Sequence, residues 1–399
     1  MSEWIECMIS DIGMVVGGAT PSTKKSENYV EGKIAWITPK DLSTFKGRYI
    51  VSGERNITEA GLKSCSAKLL PKNTVLFSSR APIGYIAIAA NEVCTNQGFK
   101  SVIPNENTDP LFLYYLLKFN KDKIERMGSG TTFKEISAKV MKSIKVFVPA
   151  SKSMQRDIAS ILGTIDDKIE LNNKINNNLE QQAMAIFNNA IEQSKSITYA
   201  ELRSLADVKG GKRLPKGANL MSIPNSHPYI RVRDLNDVVF ASLSANYEYV
   251  DDETQKTISR YITTTDDVLI SIVGTIGLTA IVDKSLNMAN LTENCVKVTN
   301  LHGISPEYLL LYLRSQHGFE EIKKGTVGAV QEKLPIKNIQ ALSVPLLPQS
   351  DLQSLNDTLK VLFNQMSINV AESKCLTDIR DSLLPKLMSG ELDVSNLDL

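Results

Sequence analysis

As far as Pro149, apolar and polar positions alternate in short runs broken by glycine and proline, a texture that predicts strands and turns. It then changes. Between residues 151 and 193 the chain holds one glycine, Gly163, and no proline, while Ile158, Ile161, Leu162, Ile165, Ile169, Ile175, Leu179, Ala183 and Ile186 form a heptad-like seam. About 38 helical residues would extend ~57 Å at 1.5 Å per residue, far beyond an ordinary globular helix. The same change follows Pro345 and Pro348, where Leu352, Leu355, Leu359, Leu362, Met366 and Leu376 mark a second stripe that Pro385 is expected to end. Asn172 and Asn369 fall on the two seams. A polar residue there either fixes register at some expense of stability or lies on a frayed or solvent-facing stretch.

The alternating stretches are written twice. Gly17 and Gly210, Asp41 and Asp234, Leu76 and Leu269, and Gly84 and Gly277 are each 193 positions apart. The local text matches as well, since Trp36-Ile37-Thr38-Pro39-Lys40-Asp41-Leu42 runs parallel to Tyr229-Ile230-Arg231-Val232-Arg233-Asp234-Leu235, each a strand entering a charged turn. The offset drifts to 197 through Lys100 and Lys297, Gly128 and Gly325, and Glu135 and Glu332, as small loop insertions would cause. This period exceeds the roughly 20 to 50 residues of solenoid repeats, so each copy is expected to be a domain with its own core.

The predicted order is a domain at residues 1–150, a long helix at 151–195, a second domain at 196–345, and a long helix with a C-terminal tail at 346–399. The fold class is α/β (α+β), with two similar globular domains separated by two long helices. Such helices bury their stripes most simply against each other as an antiparallel coiled coil, which makes a dumbbell. The alternative is that each helix packs only on its own domain.

Composition narrows the setting. A chain of 399 residues with 42% hydrophobic content has material for two cores. No apolar run approaches the ~20 residues that span a bilayer, and residues 1–10 lack the basic start of an export signal. Cys7, Cys65, Cys94, Cys295 and Cys375 form no C-x-x-C pair, so free thiols in the cytoplasm are expected, with no membrane partner. The formal net charge of +1 is uneven: residues 1–150 carry +6, residues 196–345 are neutral and residues 346–399 carry −4. Within the second copy Lys209, Lys212, Arg213 and Lys216 crowd eight residues without an acid, and Arg231 and Arg233 follow on one strand face. A basic edge on each copy points to a polyanion, against the plainer reading of solvated loops.

Catalytic chemistry is thin. His227, His302 and His317 are spaced neither for a metal nor for a triad, and are expected at the surface. The Gly17-Gly18 and Gly210-Gly211 pairs lack both the phosphate-loop and the dinucleotide-binding patterns. Neither an Asn/Asp-Pro-Pro-aromatic tetrapeptide of the methyltransferase kind nor a nuclease-like acidic cluster followed by lysine is present. The chain reads as a recognition protein without a catalytic centre.

The ending Leu383-Leu384-Pro385-Lys386-Leu387-Met388-Ser389-Gly390-Glu391-Leu392-Asp393-Val394 resembles the closing motif of the specificity subunits of type I restriction-modification systems. The openings Val16-Gly17-Gly18-Ala19-Thr20-Pro21-Ser22 and Val208-Lys209-Gly210-Gly211-Lys212-Arg213-Leu214-Pro215-Lys216-Gly217 are similar to the starts of that family's two target-recognition domains. So is Gly128-Ser129-Gly130-Thr131-Thr132-Phe133-Lys134-Glu135-Ile136, with an echo at Gly325-Thr326-Val327-Gly328-Ala329-Val330-Gln331-Glu332 that departs where Thr131-Thr132-Phe133 becomes Gly328-Ala329-Val330. The resemblance covers essentially the whole chain. It implies a bipartite, asymmetric target in double-stranded DNA, two docked modification (methyltransferase) subunits, and ATP-dependent restriction subunits where present. It also implies no cofactor in this chain, with S-adenosylmethionine, ATP and Mg²⁺ belonging to the partners.

DNA contacts are expected from Lys40, Arg80, Lys100, Thr131 and Lys134 in the first domain, with Trp36 and Ser79 as weaker candidates. In the second they are expected from Lys212, Arg213, Arg231, Arg233, Lys297 and Gln331. Lys and Arg supply phosphate contacts, while Arg can engage guanine and Gln adenine in a bidentate manner. Trp36, flanked by Ile34 and Ile37, is equally a core residue. A competing function is a two-domain protein-interaction adaptor without DNA specificity, whose binding would not fall steeply with salt. A third, an enzyme with an unrecognised site, lacks a motif.

Overall fold

The computed structural model describes residues 4–130, 134–245, 247–328 and 332–394. Its contacts divide the chain into two units, residues 1–171 with 375–399 and residues 172–374.

Both units follow one plan. In the first, a five-stranded sheet runs Gly13–Gly17, Lys100–Pro104, Val75–Ser79, Ile83–Ala89, Tyr49–Ile50, antiparallel except for the last pair. A three-stranded sheet, Arg55–Ile57, Ile34–Ile37, Val93–Thr95, covers one face. In the second unit the corresponding sheets are Asp207–Gly210, Cys295–Thr299, Val268–Ser271, Thr279–Val282, Phe240–Ala241 and Glu248–Tyr249, Pro228–Ile230, Asn290–Leu291. A two-stranded ribbon completes each unit, Trp4–Met8 with Lys145–Pro149 and Thr198–Glu201 with Ser343–Leu346. Sequence alternation selects the faces. Val75 and Phe77 point to the helical side with Leu113 and Ile158, while Leu76 points to the three-stranded sheet with Ile37 and Val93.

The helices on the five-stranded sheets begin where their caps dictate. Asp109 accepts from the amides of Leu111 and Phe112 at 2.9 and 3.0 Å to start Pro110–Phe119, and Ser305 accepts from Tyr308 at 3.1 Å to start Pro306–Arg314. Proline stands in the first turn of both, where its missing N–H costs no bond.

The two long helices are Lys152–Gln193 and Gln349–Met388. Each serves both units. Met154, Ile158 and Leu162 of the first helix enter the first core with Leu384, Leu387 and Met388 of the second. Ala183 and Phe187 enter the second core with Leu355, Leu359, Phe363 and Met366. Within each unit the helices run antiparallel: Arg380 Nη1 donates to Asp166 Oδ1 at 2.6 Å in the first, and Asn172 Nδ2 donates to Glu372 Oε2 at 2.8 Å in the second. The reading in which each helix packs only on its own domain is therefore overturned.

Two local expectations are also corrected. Pro385 lies inside the second helix, which continues to Met388; Ser389 N still reaches Pro385 O at 3.0 Å, and buried Leu384, Leu387 and Met388 hold the last turn. Ile175 is 38% exposed and leaves the seam, because the flanking asparagines, not an apolar row, fill it there.

Candidate nucleic-acid interface

The repeated residues do the same local work in both domains. Trp36 is 6% exposed and its indole N–H donates to Ala19 O at 3.2 Å; 193 residues on, the Tyr229 hydroxyl donates to Lys212 O at 2.9 Å. Trp36 is thus a core residue that anchors the opening loop, not a stacking platform. A Cβ on Gly18 or Gly211 would lie 2.1 Å from Asn96 O or 2.0 Å from Thr292 O, so the glycine pairs permit close backbone packing. Asp41 and Asp234 each accept from a backbone amide three residues earlier, Thr38 at 2.7 Å and Arg231 at 2.8 Å. Burial, opposed by neighbouring Arg233, pushes Asp234 up to about 6. Ser78 accepts from Tyr85 N and donates to Pro82 O, both at 2.8 Å, as Ser271 does with Leu278 and Thr275 at 2.9 and 2.6 Å.

At the far end of the central strands the two domains part company. Glu135 pairs through its backbone with Arg80 and Ser129, and its carboxylate lies 3.5 Å from Arg80 Nη1 and 3.3 Å from Lys100 Nζ. In the second domain the residue bridging Val273 and Val327 in the same way is Lys333, so Glu135 corresponds to Lys333 and not to Glu332. The sheet registers carry a second slip. Val75 pairs with Val102 as Val268 pairs with Val298, which makes Lys100 the counterpart of Val296 and Lys297 the counterpart of Ser101. One residue of slip turns a strand side chain to the opposite face. Lys100 stays 13% exposed beside Arg80, whereas Lys297 turns between the sheets and binds Asp267 at 3.0 Å, with side chains 10% and 3% exposed. Lys297 is therefore a structural residue, and its expected DNA contact is withdrawn. Ser79, fully buried and donating to Gly98 O at 3.1 Å, is withdrawn for the same reason.

The other described candidates lie at the surface, except Arg231, which is half-buried. Lys40 is exposed and donates to Glu54 at 2.7 Å; Lys134 is exposed and has no ion-pair partner among the described residues. Lys212 sits 5.5 Å from the centroid of the Tyr261 ring, and Arg213 meets Glu293 at 2.7 Å. Arg231 and Arg233 converge on Glu248, the latter at 3.1 Å. The exposed cations Lys40, Arg213 and Arg233 sit in solvated pairs worth under about 1 kcal/mol each and can exchange partners at little cost, whereas Arg231 is half-buried against Glu248. Thr131 and Gln331 lie outside the described residues. The candidate that sequence reasoning passed over is exposed Lys333, hidden because the repeat offset had drifted by one more residue.

A family model described as the type I restriction modification DNA specificity domain matches residues 1–181 and again residues 195–376. The chain belongs to that family. This specificity subunit is 32% identical over 420 residues to the type I restriction enzyme MjaIX specificity subunit of Methanocaldococcus jannaschii, covering 99% of this chain and 95% of the relative. It is 34% identical over 168 residues, 40% of each chain, to the EcoR124I/EcoR124II specificity subunit of Escherichia coli. Its fold is similar to the crystal structure of the type I restriction-modification system S subunit from M. genitalium, with a TM-score of 0.56, 18% identity, and 99% and 97% of the two chains covered. Specificity subunits are the recognition members of such systems and not the catalytic ones.

Among the described residues of the specificity subunit no group of three His, Cys, Asp or Glu side chains could hold a metal, and no helix is long and apolar enough to cross a membrane. His302 and His317 are exposed, while His227 is half-buried against Asp252 at 2.9 Å. The cysteines are free thiols, and burial pushes Cys94 and Cys295 up to about 11 and about 12, where they are protonated and inert.

Proposed function

We propose that this specificity subunit reads an asymmetric, two-part sequence in double-stranded DNA, one half through each recognition domain. The observation that carries the reading is that two domains of one sheet order present different side chains at equivalent places: Arg80, Lys100 and Glu135 in the first, Val273, Val296 and Lys333 in the second. Equal domains would read equal half-sites, and unequal ones read unequal half-sites. Lys40, Arg80, Lys100 and Lys134 on one domain, and Lys212, Arg213, Arg231, Arg233 and Lys333 on the other, supply phosphate and base-edge contacts. Thr131 and Gln331 are kept as proposed contacts on the sequence alone.

The long helices dock two modification subunits and, where present, restriction subunits. Leu171, Val361, Ile368 and Ile379 are 50%, 70%, 57% and 43% exposed on them, which suits covering by partners. This chain carries no cofactor in the proposed complex. S-adenosylmethionine binds the modification subunits, which methylate adenine, and ATP and Mg²⁺ serve the restriction subunits. The assembly works in the cytoplasm, where the genome is.

The test is to co-express the chain with its modification subunits and map methylated adenines across the host genome by single-molecule sequencing. The expected result is one interrupted, asymmetric motif, one half of which changes when one recognition domain is exchanged. A stable complex that binds S-adenosylmethionine yet methylates no defined motif would overturn the reading in favour of an adaptor.

A further inference from the structure

From the geometry around Glu135 we infer that its carboxylate is a stand-in for a DNA phosphate: it holds Arg80 and Lys100 in place in the free first domain and is displaced by a phosphodiester when DNA binds. The inference rests on the DNA-reading function proposed above. One carboxylate serves two cations here, so the cluster keeps a formal charge of +1 in a place where the Lys100 side chain is only 13% exposed. Cations that are this far desolvated are stabilised by a second anion. Both contacts, at 3.5 and 3.3 Å, are longer than the roughly 2.7–2.9 Å of a tight charge-assisted hydrogen bond. The Glu135 and Arg80 side chains are 39% and 36% exposed, so an incoming oxyanion has access and little to break.

Glu135 is fixed by its backbone. Its N–H and C=O both pair with Ser129, at 2.9 and 3.2 Å, and the next amide, Ile136 N, donates to Ser79 O at 2.9 Å. The side chain can therefore swing away without unfolding the segment. Among its described residues the second domain has no such device. Valines stand at the positions of Arg80 and Lys100, the lysine of the strand Cys295–Thr299 is neutralised by buried Asp267, and exposed Lys333 occupies the place of Glu135. The first half-site is thus bound through an exchange of anions and the second by direct approach of a free cation.

The experiment measures binding of the full-length chain, in complex with its modification subunits, to a target duplex over a range of salt concentrations. Wild type, Glu135→Gln, Glu135→Lys, the double variant Arg80→Gln/Glu135→Gln and the charge-matched control Glu59→Gln are compared. Glu59 is exposed and pairs only loosely, at 3.8 Å, with Lys63. Glu135→Gln is expected to tighten binding about fivefold at low salt, because no carboxylate has to be displaced from Arg80 and Lys100, and to leave the slope of log K against log salt nearly unchanged, because the same phosphate is neutralised in wild type. Glu59→Gln is expected to shift affinity less than twofold, and Arg80→Gln/Glu135→Gln to lose the gain. Glu135→Lys, which reproduces the residue found at this place in the second domain, guards against a folding defect and should tighten binding further. Unchanged or weaker binding by both Glu135 variants, with wild type still salt-dependent, would overturn the phosphate stand-in while leaving DNA recognition intact. Absence of salt-dependent binding by wild type would overturn both.

Discussion

Lys297 and Asp267 meet at 3.0 Å between the two sheets of the second domain, each at least nine-tenths buried. Removing one partner from such a pair leaves the other charge in a poor solvent, a loss of about 3 to 5 kcal/mol, whereas replacing both by apolar groups is often neutral. Asp267→Asn is therefore expected to lower the denaturant midpoint of the second domain strongly, and Lys297→Met/Asp267→Leu to restore most of it; equal losses in both would show that the ion pair is not the cause. The same residue marks the limit of what the sequence discloses. Text alone aligns Lys297 with Lys100, because a lysine is a better match than a serine. The pairing of Val268 with Val298 places Lys297 opposite Ser101 instead, and only the register says to which face a strand residue points. Trp36 was legible in part: its apolar neighbours announced a core position, but its bond to Ala19 O is a contact 17 residues away that no local pattern encodes.

At the scale of elements, periodicity identified both long helices and the duplicated strands, since these rest on local spacing. It failed in the middle of the seams. There Asn176 accepts from Asn369 Nδ2 at 2.8 Å and donates to Met366 O at 3.2 Å, and Asn172 reaches Glu372 and Ser373 at 2.8 and 3.2 Å. Asn172 and Asn369 are 1% and 5% exposed, so the seam reading of these residues holds and the solvent-facing one does not. A polar pair in such a stripe sets register because any shift leaves amides unpaired, and it does so at some cost in stability. Asn369→Leu alone, which leaves Asn176 Oδ1 without its donor, is expected to destabilise the second unit by roughly 1 to 3 kcal/mol. Asn176→Leu/Asn369→Leu should recover that loss or exceed wild type in thermal unfolding. A pair that merely filled space would give additive effects with no recovery.

For the whole molecule, what is least visible in the sequence is which parts of the chain share a core. The closing stretch reads as the tail of the second helix, yet Leu384, Leu387, Met388 and Val394 are buried with Ile9, Phe77, Leu113 and Ile158 in the first unit, more than 200 residues from the strands they cover. Gly390, at φ +75°, turns the chain out of the helix, and a Cβ there would stand 2.7 Å from the Trp4 indole nitrogen. The motif is thus a closing seam for the first domain, which explains why its text is so particular. Burying four such side chains contributes on the order of 1.5 to 3 kcal/mol each, together about what holds a whole domain folded. A chain ending at Lys374 should therefore lose the first unit and keep the second, whose helical segments and strands all lie within residues 172–374. In amide hydrogen exchange, the strands Val75–Ser79 and Lys100–Pro104 of that truncated chain are expected to lose protection while Val268–Ser271 and Cys295–Thr299 retain theirs. Full protection of both sets would show that the first core closes without its distant strand of sequence, and that the C-terminal motif is kept for contact with a partner instead.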